Sequence, residues 1–251
     1  MTQDKLAFFR RLLDTLEAGG QAVAATVVGI EGRPTGVAVG DHYLWTAAAH
    51  RGSPASSRLD DYLGEVASQV LAERRPRLER IETGEGAVTL FLEPVLPEPE
   101  VVVLGGGHVG QQVAFLAKFA GFRVSVIDDR PDFASRELFP SADRIICNNF
   151  TAALQEIPIT PSTYIVIVTR GHRYDYECLR EVIASPAAYI GMIGSRRRVQ
   201  GVKERLREEG VALDLLERLH APIGLAIGAE TPAEIAISIM AEIIRVYRLG
   251  C

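Results

Sequence analysis

Between residues 100 and 194, short apolar runs alternate with stretches of helical period. The runs are VVVLG, FRVSVID, RIICN, TYIVIVT and AYIGMIG, each of strand length and apolar at neighbouring positions rather than at every second one. Continuous apolar runs suit strands covered on both faces, as parallel strands are. Strands alternating with helices imply right-handed βαβ units, so the pattern predicts an α/β domain with a Rossmann-like, doubly wound parallel sheet. The final helix is marked at its start. Thr231 is placed as N-cap, Pro232 at the first helical position and Glu234 to complete a capping box. Ile235, Ile239, Ile243 and Val246 form its apolar side, which is read as core.

Upstream the pattern changes. Residues 4 to 18 have helical period, with Leu6, Phe9, Leu13 and Leu16 on the side expected to face the core and Gly19 and Gly20 as the stop. AVAATVVGI reads as a strand, TGVAVGDHYLW as a hairpin turning at Gly40 and Asp41, SRLDDYLGEVASQVLAERR as a helix and AVTLFLEPV as a further strand. Together they predict a small α+β unit. Pro94, Pro97 and Pro99 then interrupt regular pairing. The predicted domains are therefore 1–98, small and α+β, and 99–251, Rossmann-like.

Composition narrows the function classes. A chain of 251 residues that is 47% hydrophobic and 24% charged is that of an ordinary soluble globular protein. A net charge of -5 argues against nucleic acid and anionic membranes as partners. Cys147, Cys178 and Cys251 form neither a disulfide framework nor a metal-binding spacing, which predicts a reducing, cytoplasmic compartment. Cys147 closes an apolar strand and is expected in the core. No leader or membrane-length apolar run is read at the sequence level. His42, His50 and His220 lack matching carboxylates or cysteines, so no metal site is predicted.

Candidate chemistry clusters at three strand ends. Gly105, Gly107 and Gly110 fit G-x-G-x-x-G between a strand and a helix, the turn that brings backbone N–H groups to a pyrophosphate. His108 sits inside it. Asp128 ends the next strand, 23 residues after Gly105, where an acid accepts hydrogen bonds from a ribose diol. Arg130 would suit a 2′-phosphate, which Asp128 would repel, and the balance favours an unphosphorylated ribose. The fourth strand of such a sheet lies beside the first, so Thr169, Arg170, Gly171 and His172 are expected across the crevice from the glycines. His172 and Asp175 are candidates for proton transfer or for binding ligand polar groups. After the fifth strand come Gly194, the expected N-cap Ser195, and Arg196, Arg197 and Arg198 in the first helical turn. Cations are disfavoured there by the helix dipole unless an anion binds.

Four stretches, LGGGHVGQQVAFLAKFAGFRVSVIDDRPDFA, VTRGHRYDYECL, YIGMIGSRRRV and APIGLAIGAETPAEIAISIMAEII, occur in order and together resemble the XdhC/CoxI family over residues 100 to 248. The resemblance implies an accessory or chaperone role in maturing a molybdenum hydroxylase such as xanthine dehydrogenase. It implies binding of molybdenum cofactor, as molybdopterin or its dinucleotide form, with the apo-hydroxylase and a cysteine desulfurase as partners. The N-terminal third departs from the family. Where XdhC-like chains carry cysteines in Gly-Gly-Cys and Cys-Gly-Gly segments, Ala48 or Ala49 and Gly84 stand near the matching places. Any role that needs those thiols, such as sulfur handling or molybdenum ligation, would depend on cysteines that this chain lacks at those places. Two other readings stay open. One is an NAD(P)-dependent oxidoreductase with His172 as acid or base, although YDYEC lacks the lysine of a Tyr-x-x-x-Lys pair. The other is a non-catalytic, dinucleotide-sensing scaffold. A homodimer is expected in each case.

Overall fold

A computed structural model describes residues 3–33, 36–46, 49–51, 57–84 and 86–250. The chain divides into two compact units, Met1–Pro97 and Glu98–Cys251.

The first unit contains α1 (Gln3–Glu17), β1 (Ala22–Gly32), β2 (His42–Thr46), β3 (Ala49–Arg51), α2 (Ser57–Glu73), β4 (Arg77–Thr83) and β5 (Gly86–Val95). Its strands form an antiparallel sheet in the order β3-β2-β1-β5-β4. Helix α2 lays Val66, Ala67 and Val70 on Val23, Ala25, Val27, Val88, Leu90 and Leu92.

Three local expectations change here. Helix α1 leaves Leu6, Phe9 and Leu13 exposed at 49%, 46% and 57% and sets Phe8 against His42, ring centroids 5.2 Å apart. FFRRLL offers apolar residues on more than one side, so its period alone did not select the packed one. The hairpin arms are β1 and β2, with Thr26 opposite His42, and Gly40 and Asp41 end the connection between them. Within that connection the Asp41 carboxylate accepts the Ala38 N–H at 2.7 Å. Strand β4 was not foreseen. RLERIET carries charges on both faces, with the Arg77 guanidinium bound to Glu79 at 2.7 Å and Leu78 64% exposed, so no apolar alternation marks it. Gly84 is exposed in the turn before β5, whereas Ala48 and the Ala49 side chain lie outside the described residues.

The second unit runs β6 (Glu100–Leu104), α3 (His108–Phe119), β7 (Arg123–Asp128), a 3-10 turn (Pro131–Phe133), β8 (Arg144–Cys147), α4 (Phe150–Leu154), β9 (Thr163–Ile167), α5 (His172–Val182), β10 (Tyr189–Met192), α6 (Arg196–Glu208), α7 (Leu213–Glu217), β11 (Leu219–His220) and α8 (Pro232–Leu249). All six strands are parallel, in the order β11-β10-β9-β6-β7-β8. The fourth strand, β9, lies beside the first, β6, as the doubly wound pattern requires. Alternate residues of β6 enter opposite cores. Val101 and Val103 meet Val113 and Ala117 of α3 and Ile239 and Ile243 of α8. Val102 and Leu104 share a core with Leu179 of α5 and Val199 and Leu206 of α6. Burial on both faces is why every position reads apolar, and each such aliphatic side chain contributes about 1.5–3 kcal/mol. Cys147 is exposed instead of buried, because β8 is the edge of the sheet. Among the described residues no helix is long and apolar enough to cross a membrane.

The start of α8 is built as the sequence marks it. The Glu234 N–H donates to Thr231 Oγ1 at 3.3 Å, and Glu234 Oε2 accepts the Thr231 N–H at 3.0 Å. Thr231→Ala is expected to cost about 1 kcal/mol, read as a lower urea midpoint at unchanged slope, with Thr231→Asn close to wild type.

Candidate functional site

The glycine turn sits between two neighbouring strand tips. The Gly105 N–H donates to the Ile127 carbonyl at 2.8 Å, and the Val168 N–H donates to the Leu104 carbonyl at 2.9 Å. Gly105 has φ +117°, and a Cβ there would run into the Val168 carbonyl. A Cβ on Gly110 would strike the Gly105 carbonyl, so this glycine seats α3 against β6. Gly107 differs, since nothing lies within 4 Å of where its Cβ would be. It is also the N-cap of α3 and gives the helix no side-chain cap. The first-turn N–H groups of α3 therefore face an open approach, the arrangement that receives a phosphate. His108, beside them, is exposed. The pattern passes over Gly106, yet its Cβ would collide with the Phe133 carbonyl, because the turn after β7 crosses directly against it.

The acid at the end of β7 is not free to receive a ribose. The Asp128 side chain is 1% exposed, and its two oxygens take four donors. Oδ2 accepts the Gly106 N–H at 2.8 Å and Arg130 Nη2 at 3.0 Å, while Oδ1 accepts the Arg130 N–H at 3.0 Å and Arg130 Nε at 2.9 Å. Four acceptor sites are a carboxylate's full capacity. Burial pushes the Asp128 carboxyl up, but these hydrogen bonds outweigh it and hold it below the usual aspartate range. The Arg130 guanidinium in turn lies 3.6 Å above the Phe133 ring. As arranged here, the Asp128 carboxylate has no acceptor position open to a diol.

The loop after β9 reaches over β6 to the loop after β7. Arg170 Nη1 and Nη2 hold the Asp129 carboxylate at 2.7 and 2.9 Å, and Nη2 also reaches the Tyr174 hydroxyl at 2.6 Å. Since β7 and β9 flank β6, this pair spans the crevice beyond the glycine turn. Asp129 and Tyr174 are contributors that the sequence reading missed. The signal was the second acid in IDDR and the spacing of Arg170 and Tyr174, four apart at a helix start. Gly171 is the N-cap of α5, again with no side-chain cap. His172 begins that helix, and its side chain is outside the described residues.

Asp175 is fully buried. The Thr169 hydroxyl donates to its Oδ1 at 2.6 Å, and Arg198 Nη1 lies 3.8 Å from Oδ2. Asp175 thus ties the loop after β9 to the start of α6. Ser195 caps α6 by accepting the Arg198 N–H at 3.3 Å. A Cβ on Gly194 would come within 3.0 Å of the Arg198 side chain. Arg196 and Arg197 are exposed. Ser195, Arg197 and Arg198 line a cavity of about 490 Å³ with Tyr176, Gly201, Val202 and Arg205, and no residue of the glycine turn lines it. The expected opposite wall is therefore divided between the crevice beside Gly107 and this cationic groove.

Among the described residues, no group of three or more His, Cys, Asp or Glu is placed to hold a metal ion. Cys178 is buried, which pushes its thiol well up, and Asp175 adds to the effect. Cys251 lies outside the described residues. A third buried acid, Glu242, was missed. The Tyr189 hydroxyl donates to its Oε2 at 2.6 Å, the Gly224 N–H to the same oxygen at 2.9 Å, and His220 Nδ1 lies 3.7 Å from Oε1. The signal for it was a glutamate within the apolar run of the last helix.

The model of the XdhC Rossmann domain matches residues 101–243. The chain is 38% identical over 194 residues to the uncharacterized protein YqeB of Escherichia coli (strain K12), covering 72% of this chain and 36% of that protein. It is 28% identical over 246 residues to a probable xanthine dehydrogenase subunit of Bacillus subtilis (strain 168), covering 98% of this chain and 66% of that one. The chain thus spans from about a third to just under two thirds of these relatives' lengths. A crystal structure of a xanthine dehydrogenase from Bacillus halodurans shares the fold at a TM-score of 0.55 and 22% identity, covering 95% of each chain.

Proposed function

The chain belongs to the XdhC family, and from that premise we propose that it is an accessory protein for a molybdenum hydroxylase of the xanthine dehydrogenase kind, holding molybdenum cofactor and passing it to the apo-enzyme. The observation that carries the reading is the uncapped start of α3 beside the open side of Gly107, at the switch point between β6 and β9. The terminal phosphate of molybdopterin, or the pyrophosphate of its dinucleotide form, suits those N–H groups. The first-turn N–H groups from Gly107 onward would hold the phosphate, and Arg170 would stand over it from the far side. Once in its client, the cofactor supplies the redox chemistry of hydroxylation. The residues of this chain bind, orient and shield.

Sulfur transfer is assigned to a separate cysteine desulfurase. Buried Cys178 is a poor nucleophile, because the thiolate is the reactive form and burial disfavours it. Gly84 occupies the exposed turn before β5 and offers no thiol there.

The test mixes the purified chain with molybdenum cofactor and apo-hydroxylase. The expected result is co-elution of cofactor with the chain in gel filtration and faster activation of the apo-enzyme than with free cofactor. Failure of both would end this reading. Gly107→Ala, whose methyl would intrude on the phosphate approach, is expected to lower retention while the fold survives.

A further inference from the structure

Two arginines and two aspartates meet beside the glycine turn, and the way they pair bears on what can bind there. Asp128 stands where a dinucleotide-binding domain offers an acceptor to a ribose diol. Here all four of its acceptor positions are filled, three of them by Arg130. A diol needs an acceptor, and this carboxylate has none to give without expelling Arg130. The guanidinium is fixed from two directions, by the carboxylate and by the Phe133 ring beneath it. Only two of its five N–H donors are spent on Asp128, and the side chain is 31% exposed. A preformed, partly exposed guanidinium with donors to spare is a phosphate-binding group. Asp128, fully paired, no longer acts as the free negative charge that would turn a phosphate away.

The second pair reinforces the first. Arg170 is held by Asp129, whose side chain is 23% exposed, and the charges of Arg130 and Arg170 lie close enough to act on each other. An incoming dianion can take the place of Asp129 on Arg170 and relieve that repulsion.

We infer that Arg130 makes this crevice selective for ligands that carry a phosphomonoester beside the glycine turn, in preference to ligands with a bare ribose diol. This departs from the unphosphorylated ribose expected from the sequence, where Asp128 and Arg130 were both visible but their pairing was not. The inference rests on reading the glycine turn as a phosphate cradle. Two sources share the chemistry: a 2′-phosphate on an adenosine ribose, and the phosphate of a phosphorylated pterin.

The experiment is calorimetric titration of the full-length chain with two matched pairs, NADP+ against NAD+ and a pterin monophosphate against the same pterin without phosphate. A preference of about tenfold or more for the phosphorylated member of either pair is expected, shrinking as salt is raised. The pair that shows it identifies the source. Binding of both members of each pair within about threefold of one another overturns the inference while leaving the cradle intact. If none of the four binds at millimolar concentration, the cradle itself fails, which is a separate result. Arg130→Gln is expected to abolish the preference and to tighten NAD+, because Asp128 is then free for the diol. A variant that folds, by its circular dichroism, and keeps the wild-type preference would show that Arg130 is not the selecting group.

Discussion

Gly106→Ala is expected to destabilise the second unit by about 2–4 kcal/mol, whereas Gly107→Ala is expected to cost under about 1 kcal/mol. The order runs against the motif, because Gly107 belongs to G-x-G-x-x-G and Gly106 does not. A methyl on Gly106 would collide with the Phe133 carbonyl and come within 3.3 Å of the Phe133 Cβ. Both are parts of an ordered turn, and neither is the far end of a flexible chain. Moving that turn disturbs the Asp128 bond to the Gly106 N–H and the seat of Arg130 on Phe133 together. Gly107 has φ -69° and ψ -175°, which any residue adopts, and its side is open. Its alanine variant should lose ligand while keeping the fold. Urea unfolding of the full chain checks the pair, with hydrogen exchange in β6 and α3 isolating the second unit from the first. Equal stability of the two variants would mean that the turn after β7 does not rest on Gly106.

The contrast shows which parts of this site the sequence carries. The sheet was legible because each central strand is buried on both faces, so Val101 to Leu104 and Tyr164 to Ile167 had to be apolar at every position. The glycine turn and the capping box of α8 were legible because both are local, set by residues three to five apart. What escaped depends on contacts made after folding. IDDR offers a second acid, but it does not reveal that Arg130 folds back onto Asp128, or which residue Asp129 meets, forty-one positions later at Arg170. The same letters would fit an open ribose site. Asp175 reads as a partner for His172, whose side chain lies outside the described residues; what the sequence does not show is that Asp175 also meets Thr169 and Arg198, the latter a link from one helix to the next. In the first unit the failures share a cause. Where a surface is amphipathic on two sides, as in α1, or charged on both, as in β4, periodicity does not choose the buried face.

Glu242 gives the second large effect, and it should appear as acid sensitivity. Burial raises this carboxyl, but the neighbouring His220 imidazole and hydrogen bonds from Tyr189 and the Gly224 N–H together outweigh it and hold it at about 2, against an ordinary 4.5. A folded-state pKa below the unfolded one favours the native state while the group is ionised. The contribution is therefore complete above about pH 5 and is lost as pH falls from there toward 2. A displacement of that size corresponds to about 3 kcal/mol. Its structural reach is wider than one side chain. Through the Gly224 N–H it fixes the segment between β11 and α8, which Ser238 also holds by donating its hydroxyl to the Leu225 carbonyl at 2.6 Å. Glu242→Gln keeps the shape and removes the charge, so it should flatten the stability profile between pH 5 and 2 and lower stability at pH 7. Glu242→Leu should cost more, about 3–5 kcal/mol at pH 7, because the Tyr189 hydroxyl and the Gly224 N–H then lie buried with no acceptor. Urea titrations at a series of pH values measure all three proteins. Should wild type and Glu242→Gln lose stability in parallel below pH 5, the acid transition belongs to other carboxylates, with Asp128, also held below its usual range, the next to test.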